Sequence, residues 1–199
     1  MSARLAGVRV RPAGGDGPLA GWLTDDMVLA PGAPVPQDRL VEPRAAPQIV
    51  FVMRERLAGP GVTAAAALGA VGSVLAGMEI SDSRVRDAPG GPDALPDGAP
   101  GGLVTGPVAV PPAGLDLTLE ACLLEVDGEI TDSATGAAAH GHPAQALALA
   151  ANELGRRGLA IEPGWLVLTG GLTAAVPVRR GTSLAAHFTH LGSIFLSGG

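Results

Sequence analysis

Thirty glycines and eighteen prolines punctuate this chain of 199 residues with turns, and they favour a strand-rich body over a helical bundle. With 47% hydrophobic residues the chain can bury a core without disulfide staples. Aromatic residues are scarce (two Trp, three Phe and no Tyr), so that core must be mostly Val, Leu, Ile and Ala. The length suits a single domain spanning 1–199. High apolar content with only 16% charged residues excludes disorder throughout.

Several elements follow from periodicity and punctuation. Gly7-Val8-Arg9-Val10-Arg11 alternates apolar and charged residues as a short strand does. Residues 12–21 and 31–36 read as loops, and 49–53 is a β-branched and aromatic run suited to a central strand. Gly59-Pro60-Gly61 breaks the chain and Thr63 can cap a helix over 64–77, whose apolar surface requires burial in the core or against another subunit. A strand over 78–85 carries Glu79, and 87–102 has the composition of a flexible loop. Strands are expected over 103–110 and 115–126, with Asp127-Gly128 turning into a second hairpin strand. His142-Pro143 opens a helix that runs to Arg157 and stops at Gly158. Closing strands fall at 165–169, 174–178, 184–188 and 193–196, and there is no internal repeat.

Thirteen arginines and no lysine sit beside nineteen acidic residues, giving a formal charge of −6. No basic run exists; Arg54/Arg56, Arg84/Arg86, Arg156/Arg157 and Arg179/Arg180 are doublets read as solvated charge at element ends. This balance argues against nucleic acid or an anionic membrane as partner, but leaves room for a small anionic substrate held by one buried Arg. Cys122 is the only cysteine and lies in an apolar alternation, so it reads as a buried structural thiol. Without a signal-like N-terminus or ~18 uninterrupted apolar residues, the expectation is a soluble, cytoplasmic protein.

Two groups of motifs carry a family resemblance. The first is Gly59-Pro60-Gly61-Val62-Thr63 running on to Met78-Glu79-Ile80-Ser81-Asp82-Ser83-Arg84. The second is Gly141-His142-Pro143, followed by Leu168-Thr169-Gly170-Gly171-Leu172-Thr173 and by Leu191-Gly192-Ser193. Together they resemble the 2-hydroxypenta-2,4-dienoate hydratase / 4-oxalocrotonate decarboxylase branch of the fumarylacetoacetate hydrolase superfamily. The resemblance implies an α+β, strand-dominated fold: a mixed, twisted β-sheet roll or barrel with flanking helices, in a short form lacking the family's N-terminal helical region. It also implies a homo-oligomer, or association with a homologous subunit.

The same resemblance implies Mg²⁺ or Mn²⁺ held by three carboxylates, with the ion stabilising an enolate while a proton moves or CO₂ leaves. At the matching positions this chain reads Pro43-Arg44-Ala45-Ala46-Pro47-Gln48, so two ligand places hold Ala46 and Gln48, while the third keeps Glu79. Glu42, four residues before Ala46, is an alternative carboxylate. Arg9 stands at the family's lysine position; it keeps the positive charge but cannot release a proton near neutral pH. The family's Asp-x-x-x-Asp-Asn stretch becomes Asp93 to Asp97-Gly98. The expectation from these departures is a site with no metal cofactor.

The candidate catalytic residues are therefore Glu79 and His142, with Arg9, Gln48, Asp82, Asp93, Thr169 and Gly170 as substrate-binding candidates. Each has a plainer alternative. Glu79 could form a structural ion pair with Arg84 or Arg9, His142 could cap its helix, and Thr169-Gly170-Gly171 could be a tight turn. His187 and His190 are three apart in a strand and so face opposite ways, which argues against a shared ion. The expected activity is lyase-like proton transfer on a small 2-oxo acid, dienoate or polyunsaturated substrate, by hydration, decarboxylation, or a related cyclisation or isomerisation. The alternatives are a non-catalytic subunit that pairs with an active relative through the 64–77 helix, or a metal-dependent 2-keto-4-pentenoate hydratase with unusual ligands.

Overall fold

A strand as apolar as Arg44–Met53, buried at nearly every position, must be covered on both faces, and the sheet is built around it. The computed structural model describes residues 3–11, 20–38, 40, 42–82 and 101–199. Its strands are β1 (Leu5–Val10), β2 (Ala20–Thr24), β3 (Arg44–Met53), β4 (Val71–Ser81), β5 (Gly101–Thr105) and β6 (Ala121–Val126). They continue as β7 (Glu129–Thr135), β8 (Leu166–Leu168), β9 (Val176–Pro177), β10 (Ser183–Phe188) and β11 (Gly192–Ser197). The helices are α1 (Ala64–Gly69) and α2 (Pro143–Arg156).

Seven strands form one sheet in the order β2-β1-β8-β3-β4-β5, with β9 pairing the start of β3; the second sheet is β11-β10-β6-β7. The β1–β8 pair is parallel and the other ladders are antiparallel, so the larger sheet is mixed, as expected. Alternation along β3 sorts its two faces. Ile49, Phe51 and Met53 enter the main core with Val74, Ala76 and Met78 of β4, while Val50 joins Leu23, Met27, Leu103 and Leu168 in a smaller cluster on the opposite face. The inner face of the second sheet, including Cys122, Leu124, Leu184, Ala186, Ile194 and Leu196, closes over the main core.

Helix α2 starts where Pro143 pre-sets its first turn, and the His142 ring accepts a hydrogen bond from Ala144 N–H at 2.9 Å. Gly158, at φ 73, ends it, with Leu159 N–H returning to Leu154 C=O at 3.0 Å. The segment before α1 docks on this helix: the Asn152 amide donates to Val62 C=O at 2.9 Å and accepts from Val62 N–H at 2.8 Å. Close approach there requires glycine, since a Cβ on Gly155 would lie 2.2 Å from the Gly59 carbonyl carbon.

Several expected elements have different bounds; the strands expected over 49–53 and 78–85, for instance, start earlier, at Arg44 and Val71. The helix expected over 64–77 ends at Gly69; from Val71 the chain is strand β4, paired with β3 from Met53↔Val71 to Arg44↔Ser81. The Ala- and Gly-rich run is apolar on all sides and so carries no period of its own. Pairing with the long apolar β3 decides its conformation. Gly77 lies in that ladder where a Cβ would approach Val50 Cγ2 to 2.3 Å. A subunit association through a 64–77 helix therefore loses its structural basis.

The strand expected over 115–126 begins only at Ala121, because Asp116 accepts from the N–H groups of Thr118 (3.1 Å) and Leu119 (3.3 Å) and folds 116–119 into a turn. The strand expected over 103–110 starts earlier, at Gly101, and ends at Thr105. Of the loop expected over 87–102, residues 101–102 thus belong to β5, and the rest lies outside the described residues.

Candidate active site

Adjacent strands β1, β8, β3 and β4 set Arg9, Leu168, Glu79 and alternate residues of β3 toward the same face of the larger sheet. Arg9 pairs with Leu168 in parallel register, Leu168 pairs with Val50, and Glu79 pairs with both Ala46 and Leu103. Because paired residues share a face and the period is two, Arg9, Gln48, Ala46 and Glu79 face one another beside the apolar cluster of Val50, Leu103 and Leu168.

The chain leaves β8 at Leu168 and turns through Gly170, whose φ of 105 suits glycine. Its buried N–H donates to Gln48 Oε1 at 3.1 Å. A backbone N–H can only donate, so this bond fixes the amide with its oxygen toward Gly170 and its NH₂ group toward β4. That NH₂ donates to Glu79 Oε2. On the other side, Arg9 Nη1 lies 3.4 Å from Glu79 Oε1, each side chain being 21% exposed. The guanidinium Nε is buried without a hydrogen-bond partner among the described residues. Arg9, Glu79, Gln48 and the Gly170 backbone thus form one continuous polar chain.

Burial pushes the Glu79 carboxyl above the usual carboxylate range; the charge of Arg9 and the hydrogen bonds from Gln48 and Arg9 pull the other way without cancelling it. The carboxyl is consequently close to a proton-transfer role: a base held by two donors, in surroundings that favour taking a proton up.

The other expected residues take different places. Thr169 is buried and donates its hydroxyl to Ile49 C=O at 2.8 Å, so it braces β8 against β3. Asp82 is buried just past the end of β4 and is engaged with a polar partner. The His142 ring serves the α2 N-terminus, and no described hydrogen bond joins it to Glu79, Gln48 or Arg9. Asp93, and Arg84 as a partner for Glu79, lie outside the described residues. Glu42 lines a cleft of about 490 Å³ with Gln37, Arg44, Arg179 and Arg180.

Sequence reasoning anticipated a turn at Thr169-Gly170-Gly171 but not how the segment after it is fastened. A Cβ on Gly171 would lie 3.4 Å from the Ala46 methyl, and Arg44 Nε holds Ala175 C=O at 3.1 Å, so the 170–175 segment is fastened across β3. The paired glycines after Leu168 were the available signal.

Comparison with solved structures places the fold first. A fumarylacetoacetate hydrolase from Exiguobacterium antarcticum superposes with a TM-score of 0.74 at 15% identity, over 96% of this chain and 73% of its own, a likeness of fold. The 4-oxalocrotonate decarboxylase from Pseudomonas putida G7 reaches 0.87 at 28% identity, covering 100% of this chain and 79% of its own. Among relatives by sequence, a 4-oxalocrotonate decarboxylase from Pseudomonas sp. (strain CF600) is 34% identical over 179 residues, 89% of this chain and 68% of that protein. A 2-hydroxyhexa-2,4-dienoate hydratase from Comamonas testosteroni is 38% identical over 168 residues, 82% of this chain and 64% of that protein. The chain belongs to the 2-hydroxypentadienoate hydratase / 4-oxalocrotonate decarboxylase family and spans roughly two thirds of these relatives' length. No family model matches it.

These findings correct the expectation of no metal cofactor. The Pseudomonas putida G7 decarboxylase is complexed with calcium and acetate in one structure and with magnesium and adipate in another, so a divalent ion is expected in this family. Of the three positions that the resemblance implies for ligands, only Glu79 is a carboxylate. Ala46 has no donor atom, the Gln48 oxygen is engaged by Gly170, and Glu79 faces a guanidinium. Among the described residues no three His, Cys, Asp or Glu side chains gather at one point.

Proposed function

We propose that this chain is a lyase-type enzyme of the hydratase or decarboxylase kind, moving a proton on a small 2-oxo acid or dienoate, with Glu79 as the proton carrier and Arg9 as the anchor for the substrate's carboxylate. The observation that carries this reading is the raised carboxyl of Glu79, held between Arg9 and Gln48 at the edge of an apolar cluster. The relatives support the reaction class, since they are hydratases and decarboxylases acting on oxalocrotonate or dienoates.

The roles follow from charge. At 3.4 Å the Arg9–Glu79 contact is long, and the Arg9 side chain is partly exposed, so an incoming carboxylate can take up the guanidinium. As it does so, it neutralises the positive charge that holds the Glu79 proton affinity down. Substrate binding thereby makes Glu79 a stronger base at the moment it is needed. Gln48 keeps the carboxylate aimed, and the neighbouring Val50, Leu103 and Leu168 offer an apolar surface to the unsaturated carbon chain.

The test uses 4-oxalocrotonate and a 2-hydroxydienoate in magnesium-containing buffer, following loss of substrate absorbance. Glu79→Gln should lower kcat by roughly 10²- to 10⁴-fold, the range for loss of a general acid–base group. Arg9→Met should raise KM more than it lowers kcat. Turnover within twofold of the parent in Glu79→Gln would remove the carboxyl from the mechanism.

A further inference from the structure

We propose that the outer face of the four-stranded sheet carries a second reactive centre, in which Ser193 is a nucleophile activated by His187 and accepts the acyl group of an activated aryl ester. The centre lies outside the sheet that holds Glu79 and shares no residue with the reaction assigned there.

The geometry comes from register across three neighbouring strands. His187 on β10 is the direct cross-strand partner of Ser193 on β11 and of Leu123 on β6, and Glu125 lies two residues along β6 from Leu123 on the same face. His187 Nδ1 is 2.9 Å from Ser193 Oγ, and Nε2 is 3.2 Å from Glu125 Oε2. A carboxylate accepts only, so Glu125 fixes the ring proton on Nε2 and leaves Nδ1 as the acceptor for the serine hydroxyl. This is the order nucleophile, base, orienting carboxylate, with His187 33% and Glu125 30% exposed, open to a ligand from solvent.

The surroundings select the substrate class. Phe195 follows Ser193 by two residues on the same face; its ring is 65% exposed and meets the imidazole edge-on, at 6.1 Å between centroids and 77°. Leu123, 42% exposed, flanks the imidazole on the other side. An anionic ligand would meet Glu125, whereas a neutral aryl or short acyl group would lie on Phe195 and Leu123.

In the step itself, Ser193 Oγ bonds to the acyl carbon as its proton passes to His187 Nδ1. The ester C–O bond then breaks, and the aryloxide leaves with that proton. Water repeats the sequence on the acyl-serine, releasing the carboxylic acid and restoring the hydroxyl. Glu125 is a positioning residue throughout.

The test exposes the whole chain to an aryl fluorophosphonate and, separately, to p-nitrophenyl acetate, and maps the modified peptides by mass. Ser197, exposed on the same face of the same strand, is the internal reference. Ser193 should label at least about tenfold faster than Ser197, and His187→Gln should erase that difference, as removal of a general base requires. Glu125→Gln should lower the ratio and Glu125→Asp recover part of it, with thermal unfolding showing that each variant is folded. Labelling of Ser193 no faster than Ser197, or at a rate indifferent to His187→Gln, would overturn the proposal. Neither result depends on turnover at Glu79, so the two readings stand or fall separately.

Discussion

Replacing Gln48 by Leu tests the polar chain at its centre. Gln48 is 1% exposed and makes two hydrogen bonds, donating to Glu79 and accepting from Gly170 N–H. Loss of the bond to an ionised carboxylate costs about 2 kcal/mol, and an orphaned buried N–H costs a further ~2 kcal/mol. Leucine returns roughly 2 kcal/mol by apolar burial, leaving a net loss of about 2 kcal/mol at neutral pH. For a chain of this length that lowers Tm by roughly 4–8 °C. The loss should depend on pH in one direction. Burial raises the folded-state pKa of Glu79, so its contribution to stability is present in acid and lost as pH rises through the folded value. Gln48 opposes that rise; without it the folded pKa goes higher still, and the variant continues to lose stability after the parent has stopped. The gap between the two should therefore be smallest below the ordinary carboxylate range and widen as pH rises through the Glu79 titration. Urea unfolding followed by fluorescence of Trp22 and Trp165, which meet edge-to-face at 6.0 Å, supplies the measurement. A gap constant from acid to alkaline pH, or a variant as stable as the parent, would refute the reasoning.

The remaining predictions concern packing. The Cys122 thiol is pushed up to about 12, by burial first and then by the charges of Glu120 and Asp132. It should stay unreactive toward an aromatic disulfide reagent at pH 8 in the native protein and react only on unfolding, so prompt native labelling would contradict its burial. Gly155→Ala would press a methyl into the Gly59 backbone, and should destabilise the fold by roughly 1–3 kcal/mol or more in a denaturant titration. Gly69→Ala, in α1 where a Cβ meets nothing within 4 Å, should instead raise stability by about 0.5–1 kcal/mol. Equal effects at the two glycines would mean that close backbone approach is not what requires Gly155.

Much of this architecture was legible in the chain. Alternation marked β1, a lone carboxylate in an apolar run marked Glu79, and His142-Pro143 with Gly158 bracketed α2, because each signal acts within a turn or two of itself. The resemblance singled out Gln48 and Glu79, which β3 and β4 bring together. The 64–77 run was misread since its alanines and glycines suit a helix as well as a close-packed strand, and its partner β3 lies outside any local window. The same limit hid the role of Gln48, which is set by a backbone N–H 122 residues away.

Residue order by itself determined which side chains share a face, where helices start and stop, and which charge is available at each position of the site. Only the tertiary structure decided which faces meet, and so which groups share a proton: the Arg9–Glu79–Gln48–Gly170 chain and the Ser193–His187–Glu125 row both arise from strand register. Register is a long-range property, fixed when many weak contacts across several strands are satisfied together, and no single segment carries it.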